Sequence, residues 1–302
     1  MHTTLRQLKV FQVVAEHLNY TRAAKALHLT QPAVSMQVKQ LEEAVGLPLF
    51  EQAGKKILLS EAGREIYQYA RTIFQTFEEM EEVIASLKGL GTGHLNIAVA
   101  STVNYFAPRL LAAFARSYPG IDLHLDVTNR QRLMGLLKSN HIDIVLMGLP
   151  PEDIDLEYEP FMENPLVVIA PPGHPLEGVS RVPVQRLKDE VFIMREEGSG
   201  TRLAMERFFA EQHIEISAGM QMTRNEAIKQ AVRAGMGLSV VSTHTIELEV
   251  ETGRLVILDI EGFPQQRHWY LVHRKNKRLS PSARAFVDFV MAEAHHLKEE
   301  PV

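Results

Sequence analysis

A predicted helix between residues 31 and 45 carries polar side chains that could form hydrogen bonds with nucleotide bases. Thr30 precedes it as an N-cap, and Pro32 fits its first turn, where a missing N–H costs nothing. The apolar residues that recur every three or four positions, and so form a buried stripe, are Val34, Val38, Leu41 and Val45. The side chains off this stripe face outward, and they are Gln31, Pro32, Ser35, Met36 and Lys39.

These outward side chains have groups suited to the edges of bases. An amide such as that of Gln31 addresses adenine through two hydrogen bonds, a hydroxyl such as that of Ser35 donates or accepts, and small apolar groups such as Ala33 contact a thymine methyl. Lysines suit phosphates, and Lys55 and Lys56 lie in a predicted β-wing turn. A merely solvated helix face is the simpler alternative. The residues for which we predict DNA contacts are Thr30, Gln31, Pro32, Ala33, Ser35, Met36, Lys39, Lys55 and Lys56.

The charge distribution favours DNA contact at this end of the chain. Residues 1–60 carry seven Lys or Arg and four acidic side chains, a net charge of +3, whereas the whole chain has a net charge of −5. Residues 61–89 carry three basic and six acidic side chains, a net charge of −3. Only the first segment has the sign that suits phosphate, and the negative total argues against a protein that coats nucleic acid along its whole length.

A second group of polar residues lies where predicted strands end and predicted helices begin. The pair at 101–102 follows a predicted strand, and the segment 198–202 opens a predicted helix. Helix N-termini offer unpaired N–H groups, glycines let a ligand approach the backbone, and Arg202 adds a planar donor for carboxylate or phosphate. In the alternative interpretation, these residues only cap helices. The predicted effector-binding residues are Ser101, Thr102, Asn104, Thr128, Met147, Gly148, Glu196, Ser199, Gly200, Thr201, Arg202, Asn225 and Glu226.

Strands and helices alternate from His94 onward, which predicts doubly wound α/β domains with ligand sites at the carboxyl ends of the strands. Breaker residues interrupt this alternation at 161–165 and at 262–264, so we expect the chain to cross twice between two subdomains. We predict subdomain I at 94–162 plus 268–302 and subdomain II at 163–267.

A long segment without proline, residues 61–89, predicts one helix with an apolar seam. The seam comprises Ala62, Ile66, Tyr69, Ile73, Phe77, Met80, Ile84 and Leu87. A seam of about four heptads favours a partner helix over packing on its own domain. The glycines at 89, 91 and 93 follow a helix and precede a strand, the reverse of a dinucleotide-binding turn, so we interpret them as a linker. The predicted domains are therefore 1–60, a winged helix-turn-helix; 61–89, a dimerisation helix; and 90–302, an effector-binding domain.

Other classes of protein find little support in the sequence. The chain has no cysteine, so disulfides and thiolate metal sites are excluded, and we expect no metal site among its thirteen histidines, including His295 and His296. It shows neither an apolar run long enough to cross a membrane nor a signal-peptide core in its opening residues, and we therefore expect a cytoplasmic protein. Gly198-Ser199-Gly200 lacks the spacing of a nucleophile elbow, and we expect no catalysis.

The chain resembles the LysR-type transcription regulators in a series of motifs. They are Ala24-x-x-Leu27-x-x-Thr30-Gln31-Pro32-Ala33-Val34-Ser35, then Val38, Leu41-Glu42, Gly46, Leu49-Phe50-Glu51 and Ser60-x-Ala62-Gly63. The resemblance implies an α+β multi-domain fold, with an N-terminal winged helix-turn-helix, a dimerising linker helix, and two Rossmann-like α/β subdomains similar to periplasmic binding proteins. It also implies homodimers that assemble into homotetramers on double-stranded DNA.

Three shorter segments resemble the branch of the family that controls carbon-fixation operons of the Calvin cycle. They are Phe50–Lys56, Ser101–Phe106 and Glu196–Arg202. Met36 and Gln52 stand where many members of the family have arginine, which puts in doubt the DNA contacts assigned to those two positions.

These resemblances and residues predict a regulator that responds to a small anionic metabolite, either a phosphorylated metabolite or NADPH, and needs no other cofactor. RNA polymerase is a further candidate partner. Three alternatives remain open: a LysR-type regulator of a different metabolic operon, a cytoplasmic solute-binding protein, and an enzyme on the same α/β fold.

Overall fold

The computed structural model describes residues 3–54, 56–87, 92–139, 142–275 and 277–293. The predicted phosphate contact of Lys55, most of the predicted linker at 89–93, and the pair His295-His296 lie outside these residues. The chain divides into two compact units, Met1–Ile84 and Ala85–Val302.

The first unit is a bundle of helices followed by a small hairpin. It contains α1 (Leu5–His17), α2 (Tyr20–Ala26), α3 (Gln31–Val45), the antiparallel strands β1 (Phe50–Ala53) and β2 (Lys56–Leu59), and most of the long helix α4 (Glu61–Leu87).

Polar residues at the starts of these helices form their N-terminal caps. Thr30 Oγ1 accepts a hydrogen bond of 3.4 Å from the Ala33 N–H, so it caps α3 as the sequence predicts. The sequence predicts Thr21 as the cap of a short alanine-rich helix from Arg22 to Leu27, and this prediction is wrong, because α2 begins two residues earlier and Asn19 caps it. Asn19 Oδ1 accepts a 2.9 Å hydrogen bond from the Arg22 N–H.

Buried apolar side chains hold α1 and α3 against the start of α4. Phe11, Leu41, Leu49 and Ala70 are fully buried in one cluster. The outward face of α3 therefore has a fixed orientation on a packed support. The adjoining cluster contains Val10, Val13, Val14, Ala23, Ala24, Val34 and Val38.

The second unit alternates strands and helices. In chain order it contains β3 (Gly93–Ala100), α5 (Ala107–Ser117), β4 (Ile121–Thr128), α6 (Arg130–Ser139), β5 (Ile144–Met147), β6 (Leu156–Glu163), β7 (Leu166–Ala170), β8 (Val191–Arg195), α7 (Gly200–Glu211), β9 (Ser217–Met222), α8 (Asn225–Arg233), β10 (Ser239–Ser242), α9 (Glu247–Glu251), β11 (Val256–Leu258), β12 (His268–Arg274) and α10 (Pro281–Glu293).

Two separate groups of strands divide this unit. The order β4-β3-β5-β12-β6 forms one sheet, in which β3, β4 and β5 are parallel and β12 is antiparallel to both its neighbours. The strands β10-β7-β11 and the parallel pair β8-β9 form the other group. The chain passes between the groups after β6 and again before β12, which are the two places where the sequence predicts a crossing.

Two features around the five-stranded sheet were not predicted. The segment that opens with Val103 was expected to be a single helix to Tyr118, but a short 3-10 helix at 103–105 precedes α5. No strand was predicted at β6, which contains Pro160. Proline is tolerated there because β6 is an edge strand, and β12 pairs with it across a β-bulge at Trp269 and Tyr270.

Among the described residues, none of the helices is both long enough and apolar enough to span a membrane.

Candidate functional site

The outward face of α3 carries most of the residues predicted to contact DNA. Gln31, Pro32, Met36 and Lys39 are exposed. Gln31 Nε2 donates a 2.8 Å hydrogen bond to Ser35 Oγ, which holds the two side chains together at the start of the helix. The first turn of α3 can therefore present two polar groups in a fixed arrangement, as base readout requires.

The hairpin adds a second candidate contact surface within the same unit. Lys56 and Gln52 are exposed, and Gln52 Nε2 donates a 3.2 Å hydrogen bond to the Gly54 carbonyl within the turn. Glu42, whose carboxylate accepts a 2.8 Å hydrogen bond from the Leu49 N–H, ties α3 to the start of the hairpin. The helix and the wing are thus positioned by direct contacts between them.

Helix α4 has apolar residues in two different environments. Ala62 and Ile66 pack on the cluster that contains Ala70. At this end, the helix therefore packs on its own domain, which is the alternative to a partner helix. Farther along, Tyr69 is 67% exposed, Phe77 40%, Met80 48% and Ile84 42%. These four residues, hereafter the exposed seam, present apolar surface that the described part of the chain leaves partly uncovered.

The second unit contains a cleft with three arginines in its lining: Arg130, Arg195 and Arg267. They come from the start of α6, the end of β8 and the segment before β12. Glu196 is the acidic residue among the lining side chains. The cavity has a volume of about 40 Å³. A concave site with this excess of guanidinium groups is suited to a small anion.

Each of these arginines is held in place by hydrogen bonds. Arg195, which is 6% exposed, donates to both carboxylate oxygens of Glu196 at 2.7 and 2.8 Å. It also donates to Asn225 Oδ1 at 2.7 Å and to the Ser101 hydroxyl at 3.4 Å, so it joins the two groups of strands.

The other two arginines bond to backbone carbonyls. Arg130 Nη1 donates to the Leu149 carbonyl and Arg267 Nη1 donates to the Gly200 carbonyl, both at 2.7 Å. These bonds use one nitrogen of each guanidinium, and the remaining donors can address a ligand.

Burial and mutual repulsion affect the protonation of this group. Burial lowers the pKa of Arg267, and the neighbouring charge of Arg130 lowers it further, while Tyr270 acts in the opposite direction. Burial also lowers the pKa of Arg130, against an opposing effect of Asp153. Both shifts have the sign expected for a buried cation, and a bound anion would oppose them.

Eight of the predicted effector-binding residues line this cleft. Ser101 and Thr102 follow β3, Met147 and Gly148 end β5, and the others surround the start of α7. They are Ser101, Thr102, Met147, Gly148, Glu196, Ser199, Gly200 and Thr201.

Five predicted effector-binding residues are not in the lining of the cleft: Asn104, Thr128, Arg202, Asn225 and Glu226. The expected role of Arg202 needs correction. Its guanidinium bonds to Glu206 at 2.6 Å, to Gln221 at 2.7 Å and to the Arg195 carbonyl at 3.2 Å. Arg202 therefore supports β8 and β9 from outside the cleft. Asn225 acts behind the lining, through Arg195.

The remaining three residues lie elsewhere for local reasons. Asn104 is exposed within the 3-10 helix, and Thr128 contributes its backbone carbonyl to the Ser101 N–H at 2.9 Å. Glu226 lines a separate cavity of about 430 Å³, where its carboxylate pairs with Lys229 at 2.9 Å. Lys229 also pairs with Glu249 at 2.9 Å and lies 4.9 Å from the centre of the Tyr105 ring.

The cleft also contains residues that were not predicted. Arg130, Asn164, Arg195 and Arg267 line it, as does Trp269, which the sequence only placed in the core or at the subdomain boundary. Arg130 follows the end of β4 and Arg195 is the last residue of β8, so the rule that located Ser101 could have located them. Asn164 and Arg267 lie on the two crossing segments, which were treated as connections only.

Two of these residues have a buried polar atom without a hydrogen-bond partner among the described residues. They are Asn164, at its Oδ1, and Trp269, at its Nε1. The Trp269 ring packs at a tilt against Phe106, with ring centres 5.8 Å apart, and the Phe106 ring centre lies 5.6 Å from that of His244. Burial lowers the pKa of His244, which favours the neutral ring in this aromatic group. A cluster of metal-binding side chains is not found among the described residues.

Comparisons with known proteins find family models that match each of the two units. The family model described as the LysR substrate binding domain matches residues 88–295, and the model described as a bacterial regulatory helix-turn-helix protein of the lysR family matches residues 5–64. The chain is 64% identical over 294 residues to the RuBisCO operon transcriptional regulator of Allochromatium vinosum, with 97% of each chain covered.

Two solved structures extend the comparison. The regulatory domain of Synechocystis PCC6803 CcmR, solved in complex with 2-PG, is 46% identical to this chain. The match has a TM-score of 0.65 and covers 67% of this chain and 98% of that one. Full-length CbnR complexed with its target DNA is 23% identical to this chain. The match has a TM-score of 0.69 and covers 96% of this chain and 99% of that one. At that identity CbnR shows the fold alone. The fold class predicted from the sequence is confirmed.

Proposed function

Since the chain belongs to the LysR family of transcriptional regulators, we propose that it controls carbon-fixation genes, and a RuBisCO operon in particular. The observation that carries the proposal is the 64% identity, over 97% of both chains, to a relative named for that operon. Such similarity favours this target over a different metabolic operon. A solute-binding protein would have no use for the polar face of α3.

The proposed mode of action follows from the two units. The outward face of α3 reads bases in the major groove while the hairpin contacts phosphates. The exposed seam of α4 joins two copies, and two such dimers form a tetramer on an interrupted inverted repeat. RNA polymerase is the proposed partner at the promoter, and the protein catalyses no reaction. A regulator of this kind works in the cytoplasm, where a bacterium keeps its chromosome.

The proposed effector is a small organic anion that carries phosphate and carboxylate groups. Three arginines and the start of α7 supply charge-assisted donors around one cavity. The relative CcmR, whose regulatory domain was solved with 2-PG, supports this class of ligand, with 2-phosphoglycolate as the first candidate. A cavity of about 40 Å³ favours such a small anion over NADPH.

Effector binding would act by shifting an equilibrium between arrangements of the two groups of strands. Arg195 already bridges them through Ser101 and Asn225. An anion that contacts both sides binds the closed arrangement more tightly than an open one, and only such a difference in affinity can move the equilibrium. The closed arrangement would then change the spacing of the DNA-binding units in the tetramer.

Operator binding is the direct test of the target genes. The full chain is titrated with the DNA upstream of the RuBisCO operon of its own genome and with equally long DNA from upstream of an unrelated metabolic operon. We expect the first DNA to bind at least ~10³-fold more tightly, the lower end of specific recognition. Equal affinity for both would overturn the proposed target.

Calorimetry tests the effector class. The full chain is titrated with 2-phosphoglycolate, phosphoenolpyruvate, NADPH and neutral glycerol. We expect heat of binding from the two small anions and none from glycerol. Binding of glycerol alone, or of NADPH alone, would contradict the assignment of the cleft to a small anion.

A further inference from the structure

We propose that the separate cavity of about 430 Å³, hereafter the second cavity, binds a sugar phosphate, with its arginines holding the phosphate and its carboxylates accepting hydrogen bonds from the hydroxyls. Such a site goes beyond the proposed function, because it gives the regulator a second ligand. The identity of this ligand does not depend on which anion occupies the cleft.

The second cavity lies where the two groups of strands meet. Tyr105, from the 3-10 helix that follows β3, lines it on the side of the five-stranded sheet, and residues of α8 and α9 line it on the other side. Lys229 links the two sides, since its ammonium group pairs with Glu249 at 2.9 Å and lies 4.9 Å from the centre of the Tyr105 ring. Pockets for small molecules form preferentially at such boundaries and measure ~300–1,000 Å³, so the second cavity has the place and the size of a ligand site.

Two arginines of the second cavity have guanidinium groups that the rest of the chain leaves available. Arg233 and Arg254 are exposed, and neither side chain forms a hydrogen bond or an ion pair within the part of the chain that the structure describes. Arg233 lies one helical turn beyond Lys229 on α8, and the Arg254 N–H donates a 2.7 Å hydrogen bond to the Glu249 carbonyl. Both arginines therefore lie beside the ion pair of Lys229 and Glu249, where their donors can address a phosphate.

The carboxylates of the second cavity distinguish it from the anion cleft. They belong to Glu226, Glu247 and Glu249, and they balance the lysine and the two arginines of the lining, so there is no excess of positive charge. Glu226 and Glu249 already pair with Lys229. Partial burial raises the pKa of Glu247, against an opposing effect of Arg109. The ionised form of Glu247 thus lacks solvation, which the hydroxyl groups of a ligand can supply.

A sugar phosphate matches these groups better than a simple anion or a neutral sugar does. A simple anion would place its charge beside the carboxylate of Glu247, and a neutral sugar would leave the guanidinium groups unused. The hydroxyls of a sugar both donate and accept, so they can also bond to the amide of Gln230 and the phenol of Tyr105. The second cavity has about ten times the volume of the cleft, which gives it room for a hexose.

Calorimetry on the full chain tests the class of ligand. The chain is first titrated with 2-phosphoglycolate alone, so that failure of the proposed effector is seen separately. With excess 2-phosphoglycolate present, it is then titrated with glucose 6-phosphate, with glucose, which lacks the phosphate, and with methyl phosphate, which lacks the sugar. We expect glucose 6-phosphate to bind at least about tenfold more tightly than either fragment, because each fragment loses one set of hydrogen bonds. No binding of glucose 6-phosphate, or an affinity equal to that of either fragment, would overturn the proposal.

Two variants locate the bound sugar phosphate. Arg233→Gln and Arg254→Gln each remove one guanidinium from the second cavity, and we expect each to weaken the binding of glucose 6-phosphate about tenfold or more. Arg186→Gln is the matched control, because it removes the same charge from an exposed side chain that lines neither cavity. Its affinity should stay within about twofold of wild type. Wild-type affinity in both cavity variants, or an equal loss in Arg186→Gln, would overturn the assignment of the second cavity.

Discussion

The Arg267 guanidinium donates a 2.7 Å hydrogen bond to the carbonyl of Gly200. Arg267 lies where the chain crosses between the two groups of strands for the second time, and Gly200 opens α7. The bond therefore ties the crossing segment to the helix whose N-terminus faces the cleft. A ligand that contacts either element acts on both, so this hydrogen bond can couple anion binding to closure of the cleft.

Loss of the Arg267 charge should weaken anion binding. Arg267→Gln keeps a polar side chain of moderate length but removes the guanidinium that lies beside Arg130. Hydrogen bonds to charged groups contribute ~1.5–3 kcal/mol, so we expect the affinity for 2-phosphoglycolate to fall about 10- to 150-fold. Calorimetry on the full chain gives the affinity directly.

Arg207→Gln is the matched control, because it removes the same charge from an exposed guanidinium of α7 that bonds to Glu211 and does not line the cleft. We expect its anion affinity to stay within about twofold of wild type, since solvent screens its charge. Similar losses in the two variants would mean that net charge, and not the contacts of Arg267, governs binding.

Most elements of the fold were predictable because their signals are local. Helix α3 follows its Thr30 cap and is ended by Gly46, and β7 is a short continuous run of buried apolar residues, which is consistent with a buried strand. Strand β6 was missed because its residues are largely exposed and include Pro160. Its pairing with β12 depends on contacts distant in sequence, which periodicity does not report.

The site was predictable in part for the same reason. Ser101 and the start of α7 follow the local rule that ligands bind where strands end and helices begin. Arg202 also satisfied that rule, but the direction of its side chain depends on Glu206 and Gln221, and the latter is distant in sequence. Asn164 and Arg267 lie on crossing segments that come together only in the folded chain.

The α3 face and the hairpin should affect DNA binding differently. Lys56→Ala removes a candidate phosphate contact, so binding to all sequences should weaken and the slope of log affinity against log salt should flatten by ~0.9. Gln31→Ala removes a base-reading amide and the partner of Ser35, so preference for the operator should fall by ~1–3 kcal/mol with a nearly unchanged slope. Fluorescence anisotropy with operator and scrambled DNA at several salt concentrations measures both quantities.

Lys138→Ala provides the control for these DNA measurements, because Lys138 is also exposed but lies on α6 in the second unit. We expect wild-type affinity and slope. If Lys56→Ala and Gln31→Ala also behaved like wild type, the DNA-binding surface assigned to α3 and the hairpin would be wrong.

Two helical glycines should respond to alanine in opposite directions. At Gly63 an added Cβ would overlap the backbone carbonyl of Leu49, and overpacking of this kind costs ~1–3 kcal/mol. At Gly135, on α6, a Cβ would meet no atom within 4 Å, so alanine should stabilise the helix by ~0.5–1 kcal/mol. Gly63→Ala should therefore lower a thermal transition, and Gly135→Ala should raise one.

The only tryptophan of the chain, Trp269, separates these two effects. It lies in the second unit, so its fluorescence should report the transition raised by Gly135→Ala, while circular dichroism also reports the transition lowered by Gly63→Ala. A stabilising Gly63→Ala would contradict the close approach of α4 to Leu49.

Self-association should depend on the exposed seam of α4. Phe77 is 40% exposed in one chain, and a partner helix would bury it, so Phe77→Asp would place an unpaired charge in an apolar contact at a cost of several kcal/mol. Gln68→Asp introduces the same charge on the opposite face of the helix, as helical spacing requires, and serves as the control. Analytical ultracentrifugation should show smaller species for Phe77→Asp and wild-type assembly for Gln68→Asp. Operator affinity should fall with the assembly, because paired DNA-binding units are needed to span an inverted repeat. Unchanged assembly and unchanged operator affinity in Phe77→Asp would show that another surface joins the copies.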